Sequence, residues 1–155
     1  MMFSNDLVCD ILDFIDDNIN RKITMDELCS HFYFNKDYIM RLFKREIHST
    51  ISDYMNKKRI FQSLQDLQFG NDSILFIGLK HGFTSLEYYS EVFHKVMGVS
   101  PIIYRKFSTR SIDVAEKDIN KIQKNLANIS GFFENVTRYR NNRKKTLSMN
   151  LSIFK

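Results

Sequence analysis

The sequence predicts an all-α chain: two helix-turn-helix subdomains joined by a long central helix, plus a C-terminal amphipathic helix. Three observations carry that expectation. Proline (1) and glycine (5) are scarce among 155 residues, which favours helices with short connections. Apolar residues recur at three- and four-residue spacing. Ser, Thr, Asn or Asp stands before most of these runs, where a side-chain oxygen can take up the first free amides of a helix.

Taken in order, Ser4 is placed to cap a first helix to about Asn18, with Leu7, Val8, Ile11, Leu12, Phe14, Ile15 and Ile19 on its apolar side. Asp6 suits the positive end of its dipole, whereas Asp16 and Asp17 do not suit the other end. Asp10 and Asp13 complete a set of five carboxylates, expected to form a solvated face turned away from any phosphate. Thr24 with Glu27 forms a capping box for a short second helix ending near Phe32. Asn35 then caps a third, Lys36 to Ile47, with Ile39, Leu42, Phe43 and Ile47 inward. Two short helices joined by a few residues give the helix-turn-helix outline.

A long helix is expected from Ser49 or Thr50 to about Gln68, stopped by Gly70-Asn71. Lys57, Lys58 and Arg59 cluster on it. Asp72 or Ser73 opens the next helix, ending near His81, in which Gly78 carries a penalty of about 1 kcal/mol. Gly82 ends it, and Thr84 or Ser85 caps a helix to Met97 with Tyr89, Val92, Phe93 and Val96 on one face. Gly98 stops that helix, and Ser100-Pro101 opens another. From Ile112 to Val136, Ala115, Ile119, Ile122, Leu126, Ile129 and Phe133 recur at alternating steps of three and four. Such a seam must be covered, either by the body of the chain or by a second copy. Arg138, Arg140, Arg143, Lys144 and Lys145 follow; disorder is the default there, and contact with DNA phosphates the sharper alternative.

The segment Gly82-Phe83-Thr84-Ser85 through Phe93-His94-Lys95, Gly98-Val99-Ser100-Pro101 and Tyr104-Arg105 resembles the second helix-turn-helix of AraC/XylS-type transcription regulators. The resemblance runs from about Met2 to Phe107. It implies residues 1–108 as a double helix-turn-helix DNA-binding domain; beyond it, the apolar spacing gives 109–137 as an amphipathic heptad-patterned helix and the charge cluster gives 138–155 as a basic, flexible tail. It also makes the long middle helix a rigid spacer. Two departures stand out: Tyr33 where a turn glycine is common, implying a strained φ or a shifted turn, and His48 where a helix-stop glycine is frequent.

On the first reading helix the outward positions are Lys36, Asp37, Met40, Arg41, Lys44 and Arg45. The resemblance makes Asp37, Met40 and Arg41 base-facing. A guanidinium can bond a guanine edge twice, and a thioether can touch a thymine methyl. Asp37 can accept from a cytosine amine, cap, or repel. The competing reading of Arg41 is a surface salt bridge. Lys36, Lys44 and Arg45 suit phosphate. On the second reading helix, from about 85 to 97, Leu86, Glu87 and Glu91 match base-facing positions, with Ser85 and His94 toward phosphate. Glu87 and Glu91 repel each other four residues apart, and His94 replaces the family's usual lysine, so affinity is expected mainly from the first unit.

The net charge of +5 does not by itself argue for DNA. Residues 1–105 carry 12 Lys+Arg against 14 Asp+Glu, and residues 106–155 carry 11 against 4. The predicted function is therefore argued from local placement: a sequence-specific double-stranded DNA-binding regulator. The rival is an interaction module that binds itself through residues 112–136, or another partner such as RNA polymerase. Four histidines and two cysteines make no zinc spacing, and no nucleotide loop or nucleophile motif is present, so no catalytic residue, metal or cofactor is expected. No apolar run suits a membrane span and no signal peptide is evident, so a cytoplasmic place and reduced, buried Cys9 and Cys29 are expected. The chain is expected to be either a stand-alone regulator or the DNA-binding end of a longer one.

Overall fold

The computed structural model describes residues 4–111 and 113–153, without the side chains of residues 4–6, 147 and 150–153. The expected cap at Ser4, the dipole role of Asp6 and the seam position Ile112 lie outside the described residues. The described residues form eight α-helices with short connections: α1 Ser4–Asp17, α2 Met25–Phe32, α3 Lys36–Ile47, α4 Ile51–Phe69, α5 Ile74–Lys80, α6 Leu86–Met97, α7 Pro101–Ser108 and α8 Glu116–Ile153. No strand occurs among the described residues. The starts follow the caps. Thr24, Asn35, Ser73, Ser85 and Ser100 each accept a hydrogen bond from the amide three residues on, settling the open choices in favour of Ser73 and Ser85.

The helices gather into two compact units. The first comprises residues up to Asp17, Ile23–Ile51 and those from Gly131 onward; the second comprises Asn18–Lys22 and Ser52–Ser130. In the first, Leu7, Val8, Ile11, Leu12 and Ile15 of α1 are buried, as are Leu28 and the inner face of α3. Cys9 and Cys29 are reduced but only partly buried, short of the expected full burial.

In the second unit, Ile60, Leu64 and Leu67 of α4 form one core with Ile77, Phe83, Tyr89, Phe93, Tyr104 and Ile122. Tyr89 is completely buried, so its hydroxyl needs a partner. It donates to Ser63 Oγ (2.9 Å), which donates to the Ile60 carbonyl (2.8 Å). Burial pushes the Tyr89 phenol up to about 12. Gly78 is not simply a weak helix position. A Cβ there would sit 2.9 Å from the Tyr89 ring, so the missing methyl makes room for a large aromatic. Arg105 explains the Tyr-Arg pair: Tyr104 is buried, while the Arg105 guanidinium donates to the Leu67 carbonyl (3.3 Å) and the Asp72 carbonyl (2.7 Å), closing the end of α4.

Arg59 corrects the expected basic cluster on α4. It is 7% exposed and donates to the carbonyls of Ile19 (2.9 Å) and Arg21 (2.8 Å), and burial lowers its pKa. Gly82, at φ 92°, allows that approach, because a Cβ would meet Ile19 O at 2.9 Å and Arg59 Nε at 3.0 Å. Arg59 is a brace inside its unit rather than a surface cation.

The C-terminal region departs most from expectation. In place of a helix ending near residue 137 and a flexible tail, α8 runs on to Ile153. One row of the seam is covered within the chain: Ile122, Ile129 and Val136, seven residues apart, are 0%, 4% and 5% exposed, while Ile119, Leu126 and Phe133 are half-buried and Ala115 is exposed. Ile122 joins the core of the second unit, and Leu126 packs against it. Asn125 Nδ2 donates to the Met97 carbonyl (3.0 Å), occupying an acceptor at the end of α6. Further on, in the first unit, Arg140 pairs with Asp16 (2.8 Å) and Asp13 (3.5 Å), and Arg143 lies 3.9 Å from Glu46. Part of the basic cluster thus answers the acidic first helix, a pairing between distant sequence segments that neither segment reveals alone.

Both glycine replacements adopt the left-handed backbone, Tyr33 at φ 60° and His48 at φ 61°. The turn keeps its geometry, and the side chain bears strain of about 1–2 kcal/mol. Tyr33 is 92% exposed, so its ring contributes almost no packing. Tyr33→Gly is expected to raise unfolding free energy by about 0.5–1 kcal/mol, the relief of strain less the added chain entropy. Urea denaturation checks this; a lower midpoint would mean the ring has a structural role.

Candidate nucleic-acid interface

Each unit carries one helix whose inner side is fixed by the core and whose outer side is open. In the first unit this is α3. Asn35 Oδ1 accepts from the Tyr38 amide (2.9 Å), and His48 in the left-handed region donates its amide to the Lys44 carbonyl (2.9 Å). Ile39, Leu42, Phe43 and Ile47 are buried. Lys36, Asp37, Met40, Arg41, Lys44 and Arg45 are all exposed, Met40 at 43%. The sequence-predicted set therefore lies together on the open side.

The ionic state of this face bears on the competing readings. Among the described residues Arg41 has no ion pair, so the surface salt bridge is not formed. Arg45 does have one: its Nε lies 3.1 Å from Glu46 Oε1. That pair is largely exposed on the arginine side, the kind worth about 0–1 kcal/mol, so another anion can replace it. Arg41 and Arg45 also line a hollow of about 150 Å³ with Tyr38 and Leu42.

In the second unit the corresponding helix is α6. Tyr89, Val92, Phe93 and Met97 are buried, while Leu86, Glu87, Glu91 and His94 are exposed. Ser85 is half-buried, and its Oγ accepts from the Tyr88 amide (3.1 Å). Its hydroxyl proton remains available for donation. The structure adds two residues that sequence reasoning passed over. Tyr88 is 40% exposed, with its hydroxyl accepting from Asn56 Nδ2 (3.4 Å). Lys95 is exposed in the last turn, four residues after Glu91. That spacing was the available signal for a cation beside the two glutamates.

The two faces differ in charge. Over Lys36–Ile47 there are four basic and two acidic residues; over Leu86–Met97 there are one lysine and two glutamates. Helix termini, exposed cations and a buried inner stripe are the parts a groove-reading helix requires, and α3 has all three. Among the described residues no helix is long and apolar enough to cross a membrane.

Comparison with known proteins agrees with this arrangement. A family model described as a helix-turn-helix domain matches residues 28–106, just over half of the chain. The transcriptional activator AarP of Providencia stuartii is 26% identical over 107 residues, covering 69% of this chain and 79% of that protein. The melibiose operon regulatory protein of Escherichia coli K12 is 34% identical over 101 residues, covering 65% of this chain but only 33% of that protein. Among solved structures, the DNA-binding domain of the transcriptional factor AdpA, in complex with a target DNA, has a TM-score of 0.63 at 17% identity, covering 70% of this chain and 97% of that one; it bears on the fold alone. With its two capped helix-turn-helix units and the matched span, the chain belongs to the AraC-type family of helix-turn-helix transcription regulators.

Proposed function

We propose that the chain binds double-stranded DNA sequence-specifically and regulates transcription, with α3 and α6 entering successive major grooves. The observation that carries this reading is the outer face of α3. Arg41 stands exposed and, among the described residues, without an ion pair, in the company of Lys36, Lys44 and Arg45 and beside Met40. In this reading Arg41, Met40 and Asp37 meet base edges, and Lys36, Lys44 and Arg45 meet phosphates. Leu86, Glu87 and Glu91 are the base-facing set of α6, with Ser85 and His94 toward the backbone and Lys95 beside them. The glutamates lose energy near phosphates unless cytosine amines answer them, so α3 supplies most of the affinity.

RNA polymerase is the protein partner that a transcription regulator implies. The 112–136 seam is assigned to holding α8 on the chain's own body rather than to a homodimer; the burial of Ile122, Ile129 and Val136 supports this. Selection of bound duplexes from a random pool tests the main reading. The expected product is an asymmetric site of two unlike blocks about one helical turn apart, because the two reading helices differ in sequence. A palindromic site would overturn the one-chain, two-groove arrangement, and no enrichment would overturn DNA reading itself.

A further inference from the structure

We propose that the groove between the end of α3 and the second half of α8, within the first unit, binds a small organic anion with an apolar body. The groove encloses about 400 Å³, within the range of small-molecule sites, which run from about 300 to 1,000 Å³. Ile47, Phe132 and Val136 supply its apolar wall, and Arg138, His48 and Asn135 its polar groups. This mixture, mostly apolar surface with a few orienting groups, is how small ligands are held. Residues 132–142 of α8 lie outside the family-matched span, so this wall is particular to the chain's C-terminal helix.

The charge of the occupant follows from what is already neutralised. Arg140 is answered by Asp16 and Asp13, and Arg143 faces Glu46. Glu46 also lines the groove, but it is already held by Arg45 (3.1 Å) and Arg143 (3.9 Å). Arg138 has no ion pair among the described residues. The groove therefore presents one unanswered guanidinium, whose planar fork suits a carboxylate. Tyr139, another lining residue, has its hydroxyl buried without an acceptor. Burial, with Glu46 near, pushes its phenol up to about 12, so it keeps its proton to donate at neutral pH. A cationic occupant would be repelled by the guanidinium, and a neutral one could accept from Tyr139 but would leave the charge of Arg138 unanswered. Ile47 is the last residue of α3 and His48 its left-handed cap, so an occupant touches the end of that helix.

The test uses three probes that share one body and differ in charge: 4-phenylbutyrate, 4-phenylbutanol and 4-phenylbutylamine. Each is titrated into the full chain and followed by NMR at Ile47, His48 and Val136. The butyrate is expected to shift these signals saturably, and the other two to shift them weakly or not at all. Arg138→Gln should weaken butyrate binding by about tenfold or more, as loss of a charge-assisted bidentate bond does. Asn135→Trp, a change at an exposed position, should fill the groove and abolish binding with the fold intact. Equal response to the amine, an unchanged affinity in Arg138→Gln, or no saturable shift with the butyrate would each overturn the proposal. None of these outcomes depends on DNA binding.

Discussion

Replacing Ile122 by alanine is expected to cost the second unit about 2–5 kcal/mol of unfolding free energy. Ile122 is fully buried and shares a core with Phe93, Met97 and Tyr104, so its loss removes transfer energy and leaves a cavity. The same substitution on an open seam would cost far less, because a solvent-facing isoleucine has little packing to lose. The effect is read by urea denaturation, with hydrogen exchange along α8 to locate it. Two units need not unfold in one step, so the transition to follow is the one reported by probes in residues 52–130. The midpoint should not depend on protein concentration, because the partner of Ile122 lies in the same chain. A midpoint that rises with concentration would mean that a second copy covers the seam. A loss below about 0.5 kcal/mol, the surface value, would mean that α8 is not docked at all.

The second large effect is on recognition. Arg41→Ala should weaken binding to the selected duplex by about 1–3 kcal/mol and relax preference at one base pair, because a bidentate contact to a guanine edge is lost. Lys44→Ala serves as the contrast. It should weaken binding to all sequences alike and lower the slope of log affinity against log salt by about 1, since it removes one phosphate contact. The measurement is a titration of selected and scrambled duplexes at several salt concentrations. Uniform weakening by Arg41→Ala across both duplexes would reassign that arginine to the backbone. No change on either would remove α3 from the interface.

Helix positions and starts were legible in the sequence because both are local. A cap needs one side chain and an amide three residues on, and an apolar stripe needs only a period. Asn35 with Ile39, Leu42 and Phe43 therefore suffices to place α3 and, with it, the open side bearing Arg41. The composition of the proposed reading face was legible for the same reason: once the inner stripe is known, the outer residues follow. Lys95 was legible from its place four residues after Glu91, but the exposure of Tyr88 depends on how deeply α6 sits in its core, which the period alone does not give.

Contacts between distant segments were not legible. Arg59 reads as one of three clustered cations, yet it is buried against carbonyls some forty residues earlier. Gly78 reads as a weak helix position until Tyr89 is found in the space a methyl would take. The 138–145 cluster reads as a solvated tail, because a run of like charge without partners does not fold. Its partners Asp13, Asp16 and Glu46 lie about a hundred residues away in sequence.

By itself the sequence determined the all-α class, the caps and stripes of its helices, the family resemblance and the residues offered on the reading faces, since each rests on interactions within a turn or two of helix. Tertiary structure alone decided that α8 extends to Ile153 and that its seam closes on its own chain. It also decided which cations are spent on internal carboxylates and which stay available. Burial and ion pairing are properties of what packs against a residue, and no local pattern encodes that neighbour.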